Sequence, residues 1–135
     1  MTLENTNTYN VTVCNIQTID NEPDKITESG EGSLRCKEGK YYLSYQTDSG
    51  KVLIKLENGR VNVRRLGDYS SEIEYTEGVR TKLSYNTPYG RMEMETDTKR
   101  VEYKLSDDGG FIRLEYDLYA GGRIENKMEI KIEAK

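Results

Sequence analysis

The sequence predicts an all-β protein, a closed antiparallel up-and-down barrel of roughly eight to ten strands. Three observations predict it. Apolar residues recur at every second position along most of the chain, turn signals separate these runs at short intervals, and no stretch repeats at helical spacing for more than a turn.

In chain order, the first half offers two segments that read as strands around Cys14 and Cys36. Gly30 and Gly32 share a face with Leu34 and Cys36, and paired glycines inside a long strand let a sheet bend sharply enough to close. Asn58-Gly59 between Lys51–Glu57 and Arg60–Leu66 is the strongest hairpin signal, because a type I′ turn needs positive φ at both central positions. Val52, Ile54 and Leu56 face one way and Lys51, Lys55 and Glu57 the other. The alternation continues in Ile73 and Tyr75, Leu83 and Tyr85, and Met92 and Met94, and then in Val101, Tyr103 and Leu105. It ends in Ile112, Leu114, Tyr116 and Leu118, followed by Met128, Ile130 and Ile132. Pro23, Glu38-Gly39, Asp48-Ser49-Gly50, Gly67-Asp68 and Glu77-Gly78 mark further turns. Thr87-Pro88-Tyr89-Gly90 suits a type I turn, and Asp107-Asp108-Gly109-Gly110 and Gly121-Gly122 complete the punctuation. Strands apolar on one face and joined in series must curl that face around a core.

At 135 residues the chain is long enough to bury a core and too short for two ordinary domains, so one domain over 1–135 is expected. Eleven Tyr against one Phe and no Trp give large apolar bodies that each carry a hydroxyl needing a partner. The absence of histidine removes Ser-His-Asp and Cys-His catalysis and most zinc and haem ligation. No metal and no cofactor are expected. Net charge is −4, and Lys and Arg alternate with Glu and Asp along the sequence, which argues against nucleic acid as a partner. Met1–Asn10 lacks a basic stretch followed by an apolar one, and no apolar run approaches the roughly 18 residues of a membrane helix. The default expectation is cytoplasmic, with no membrane partner. In that compartment two isolated cysteines read as small buried hydrophobes, although a bridge between neighbouring strands is geometrically open.

The run Tyr85-Asn86-Thr87-Pro88-Tyr89-Gly90, continued by Met92, Glu93, Glu95, Thr96, Thr98 and Lys99, resembles the central hairpin of the YwiB-like family of bacterial proteins. Tyr42-Leu43-Ser44-Tyr45 and Leu114-Glu115-Tyr116-Asp117-Leu118, followed by Met128-Glu129-Ile130, add to the resemblance, which runs from about Tyr41 onward. It implies a calycin-like, lipocalin-type barrel. It implies no activity, since the family has none assigned and so no catalytic residues to carry over.

Candidate site residues follow from the inward face. Tyr75, Tyr85, Tyr103 and Tyr116, with Met92 and Met94, could line a cavity whose hydroxyls orient a partly apolar ligand. The plainer reading, that these six fill the core, weighs more on pattern alone. Arg65 shares a face with Val61 and Val63, so its guanidinium either pairs with a carboxylate or holds an anionic head group, unless it reaches the rim with its charge in water. The pairs Glu72/Glu74 and Glu93/Glu95 belong to solvated faces, and Asp107/Asp108 to a turn. Three functions stay open: first a non-enzymatic module binding a small ligand in the barrel, then a solid barrel that docks a protein on its outside. The last is an enzyme using Tyr, Arg and carboxylate groups at one mouth. The sequence does not set the oligomeric state.

Overall fold

Each alternating run becomes one strand, and the described residues, 8–135, of the computed structural model form ten strands and no helix. Residues 1–7 of the polar opening stretch lie outside them. The first five strands are β1 (Tyr9–Ile19), β2 (Glu22–Lys37), β3 (Lys40–Thr47), β4 (Gly50–Glu57) and β5 (Arg60–Gly67). They continue as β6 (Ser70–Thr76), β7 (Arg80–Thr87), β8 (Gly90–Ser106), β9 (Gly109–Tyr119) and β10 (Arg123–Ala134). Strand order around the sheet is sequence order, every pairing is antiparallel, and β1 closes the barrel on β10, with Tyr9 opposite Ala134 and Thr18 opposite Glu125. Successive turns therefore alternate between the two ends. The β1–β2, β3–β4, β5–β6, β7–β8 and β9–β10 connections rim one end, called here the mouth, and the remaining four connections rim the base.

Hydrophobic residues of the inward face form one core, in which Leu56, Val61 and Ile112 are fully buried. Each such aliphatic side chain contributes about 1.5–3 kcal/mol. Three phenols stopper the base. Tyr9 donates to the carbonyl of Asp107 at 2.7 Å and Tyr41 to that of Leu105 at 3.1 Å, while the Tyr103 hydroxyl accepts from the Gly59 amide at 3.1 Å. These bonds join the strand ends to the facing turns, so the base is closed by side chains that also satisfy backbone groups.

Two irregularities shape the wall. A bulge at Thr98/Arg100 shifts the inward parity of β8 from Met94, Thr96 and Thr98 to Val101, Tyr103 and Leu105, which keeps both halves of a 17-residue strand facing the core. The Glu77 carboxylate accepts from the Val101 amide there, at 3.1 Å. The second irregularity is a seam. β6 and β7 pair only through Ser70–Asn86 and Ser71–Tyr85, whereas β5 and β6 pair at six positions. Below those two pairs the strands splay, and the Thr81 hydroxyl reaches across to the Glu74 carbonyl at 3.3 Å.

Gly30 and Gly32 sit where β2 leaves β3 and continues toward the mouth paired with β1 alone. A Cβ at either position would run into the backbone carbonyl of Gln46 or Ser44, so the close approach of β3 excludes any side chain. The first turn differs from expectation. It is Asp20-Asn21, with φ of 53° and 66°, while Pro23 lies inside β2. Proline is tolerated there because β3 does not extend far enough to pair with that part of β2.

The cysteines also differ from expectation. Cys14 is opposite Thr27 of β2, so Cys36 stands nine residues further along the same strand, roughly 30 Å away. No bridge can span that distance, which far exceeds the ~7 Å limit between Cα atoms. Both thiols are free, and Cys36 is exposed rather than buried because it sits at the rim of the base, beside the β2–β3 turn.

Two outcomes are expected. Gly32→Val should destabilise the barrel by about 1–3 kcal/mol or more, as overpacking against backbone does, when measured by chemical denaturation; unchanged stability would show that the contact yields. A maleimide should label Cys36 promptly and Cys14 more slowly in the native fold, read by mass spectrometry. Labelling that needs prior denaturation at both would contradict these positions.

Candidate functional site

The base of the barrel is plugged, but the mouth half is not, and it holds a partly open cavity of about 430 Å³. That is within the usual range for small-ligand sites and leaves room for on the order of a dozen water molecules. Val13, Ile54, Val63 and Ile130 form its deep end. Tyr75 and Tyr116 form a wall, their ring centroids 4.7 Å apart and their planes 49° apart, with Met94, Met128 and Leu118 beside them. The solid-core expectation therefore does not hold in the mouth half.

Polar groups collect where the cavity approaches the mouth. Arg65 of β5 donates through Nη1 to both carboxylate oxygens of Glu28 on β2, at 3.3 and 3.4 Å. Both are half-buried, and against the opposing effect of burial the carboxylate holds the guanidinium above its ordinary pKa. No other acceptor bonds the Arg65 guanidinium among the described residues. On β1 and β10, next to the strand that carries Glu28, Asn126 Oδ1 accepts from Asn15 Nδ2 at 3.1 Å and Gln17 Nε2 at 3.2 Å, and its own Nδ2 donates to the Ile124 carbonyl at 3.0 Å. This network fixes the Asn15 amide with its nitrogen toward Asn126. Asn15 Oδ1 is then left buried without a hydrogen-bond partner, on a residue that lines the cavity. A bare acceptor in such a place costs about 1–3 kcal/mol, a deficit that a donor would relieve.

Burial also sets the phenols. It pushes Tyr75 well above its ordinary pKa, reinforced by the Tyr116 phenol, and it raises Tyr116 and Tyr45 as well, with the Arg65 charge opposing. All three stay protonated near neutral pH, able to donate as well as accept.

Residues 11–132 match the family described as "Domain of unknown function (DUF1934)". The chain belongs to this family. It is 32% identical over 99 residues to the "Uncharacterized beta-barrel protein YwiB" of Bacillus subtilis (strain 168), covering 70% of each chain. The crystal structure of the ywiB protein from Bacillus subtilis superposes with a TM-score of 0.89 at 26% identity, covering 98% of this chain and 94% of that one. The DUF1934 barrel is thus the fold of this chain, and the relatives name no activity.

Of the residues picked out by alternation, this DUF1934 barrel places Tyr75, Tyr85, Tyr116, Met94 and Arg65 on the cavity wall. Two fall elsewhere. Tyr103 is in the base plug, because it follows the bulge and lies toward the opposite end of β8, and Met92 is 52% exposed beside the β7–β8 turn, above the mouth. Pattern reading missed Glu28, Asn15, Gln17, Asn126 and Tyr45. Glu28 shares the face of Gly30 and Gly32, and a charged Arg65 on an inward face needs a counter-charge, so that signal existed. Asn15 and Asn126 interrupt the alternation with polar residues and gave none.

The three raised phenols fix the alkaline behaviour. In the unfolded chain they ionise near pH 10, in the barrel only higher, so the folded state holds protons that the unfolded state releases. Their stabilisation is complete below about pH 10 and falls as pH rises beyond it, by roughly 4 kcal/mol per unit for the three together. Phenolate absorbance followed alongside circular dichroism should show these tyrosines ionising only as the strands are lost. Ionisation of all eleven in one step at ordinary pH, with the fold intact, would contradict it.

Proposed function

We propose that this protein is a non-enzymatic module that binds one small amphipathic molecule in the mouth half of its barrel. The apolar body would lie against Tyr75, Tyr116 and Met94, with a donor toward Asn15 Oδ1 and an acceptor or anionic group toward Arg65. The observation that carries this reading is a cavity of about 430 Å³ lined by the Arg65–Glu28 pair, Asn15 and the phenols of Tyr75 and Tyr116, beside which Asn15 Oδ1 is buried without a partner. Apolar surface with a few converging polar groups is the usual make-up of a small-ligand site.

What speaks against catalysis is the state of the ionisable groups at the site. Glu28 and Arg65 neutralise each other, and the phenols are shifted away from the neutral range in which a general base works. The proposal includes a reducing, cytoplasmic setting, in which the exposed Cys36 thiol stays free.

The fluorescent probe 1-anilinonaphthalene-8-sulfonate has an apolar double ring, an amine donor and an anionic group. It should bind at one site per chain with a blue shift. Leu118→Trp, which fills the cavity, should abolish the signal without lowering thermal stability. Arg65→Gln should raise Kd about five- to a hundredfold, the value of one hydrogen bond to a charge in a dry site, roughly 1–3 kcal/mol. Probe fluorescence that Leu118→Trp leaves unchanged would move binding outside the barrel and end the proposal.

A further inference from the structure

On the outer side of the wall, across β2 to β5, the sheet carries a second concavity of about 580 Å³. Its floor is made of short side chains, Ser33, Ser44 and Asn62, with Leu53 and the ring of Tyr42, which is 39% exposed. Register explains the shape. Ser33, Ser44, Leu53 and Arg64 are neighbours in one cross-strand row, and Arg35, Tyr42, Lys55 and Asn62 form the next, so small residues at the centre are flanked by long cations.

The charge of this trough opposes that of the chain. Its lining holds five cations, Arg35, Lys37, Lys51, Lys55 and Arg64, against one carboxylate, Glu72. That is +4 on a chain of −4, so everything outside the trough sums to −8. Glu72 is also engaged, accepting from Asn62 Nδ2 at 3.2 Å. Among the described residues only Lys55 of the five cations is ion-paired, with Glu57 at 3.6 Å. On the β8–β10 side, by contrast, Arg100, Arg113 and Arg123 are each paired with carboxylates. Charges dispersed along the sequence are thus gathered in space. The segment Arg35–Leu66 contains eight Lys and Arg against three Asp and Glu, a local excess that the chain total conceals.

We infer that this outer trough binds a short stretch of single-stranded nucleic acid, with phosphates on the flanking cations and a base stacked on Tyr42. A protein partner fits less well, because five cations surround so small a floor and charge is depleted from the centre of protein interfaces. Clustered cations around an exposed aromatic are the recognised means of holding a single strand without sequence preference. From β2 to β5 the trough spans roughly 14 Å, enough for a few nucleotides, at about 4.8 Å per strand. The inference is independent of the cavity proposal, since the sheet itself separates the two sites.

The test is fluorescence anisotropy with labelled oligouridylate and oligothymidylate of ten nucleotides, with decaglutamate as an acidic peptide competitor. Either oligonucleotide should bind, and its affinity should fall with salt at a log–log slope of about −2 to −3.5, for three to five phosphate contacts. Lys55→Ser with Arg64→Ser should weaken binding at least tenfold. Tyr42→Ala should weaken it about five- to a hundredfold and Tyr42→Phe should restore it, since the ring alone stacks. Lys104→Ser, outside the trough, should change nothing. All these positions are exposed or at the surface, and unchanged melting curves will show that the variants fold. Failure of both oligonucleotides to bind at low salt overturns the inference, as does indifference to Tyr42→Ala. Competition by decaglutamate at equal affinity also overturns it and would assign the trough to an acidic protein segment. None of these results touches the cavity, which the anilinonaphthalene probe reads separately.

Discussion

Closing a sheet of ten strands fixes a circumference, and the inward side chains must then fill whatever cross-section results. Large residues can do this in one half of the barrel, and here they do it at the base, where Tyr9, Tyr41 and Tyr103 plug the end and bond to turns across it. The mouth half is lined instead by residues that keep to the wall. Ser71, Asn15 and Met94 project less far than a phenol, and Arg65 turns aside to Glu28. The mouth half has phenols of its own, Tyr45, Tyr75, Tyr85 and Tyr116, but they line the wall instead of plugging the end, and the cavity is what they leave.

The polar residues of the mouth half follow from the same circumstance. A packed core would make the Glu28–Arg65 pair and the Asn15–Gln17–Asn126 network costly, because each group would need every partner supplied by the protein. Beside a cavity, water or a ligand can supply the missing partner. Arg65 can keep donors in reserve and Asn15 an unshared oxygen without breaking up the apolar shell beneath them. The barrel therefore divides along its axis into a plugged base and a cavity near the mouth, where the proposed ligand would sit.

Most of the architecture was legible in the sequence, because period-two alternation and turn residues are local signals that the tertiary structure did not override. The family resemblance rested on the same hairpins. Reading stopped where the physics became non-local. Tyr103 is an inward tyrosine like Tyr75 and Tyr116, yet only the height of a residue along a long strand decides between plug and wall. Glu28, Asn15 and Asn126 were passed over since polar residues at inward positions look like breaks in the pattern. The basic trough was hidden for a related reason, as register between strands, and not order along them, brings Arg35, Lys55 and Arg64 together.

The seam between β6 and β7 gives the closed wall one weak line. Parting that ladder costs the hydrogen bonds of two residue pairs, whereas parting β1 from β2 costs those of eleven. Motions that open a barrel choose the cheapest ladder, so the alternate amides of Ile73–Thr76 that point toward β7, not those bonded to β5, should be among the first strand amides to exchange with solvent deuterium. The interior can thus communicate with solvent sideways as well as through its mouth, at a rate set by the breathing of one short pairing while the other nine ladders hold.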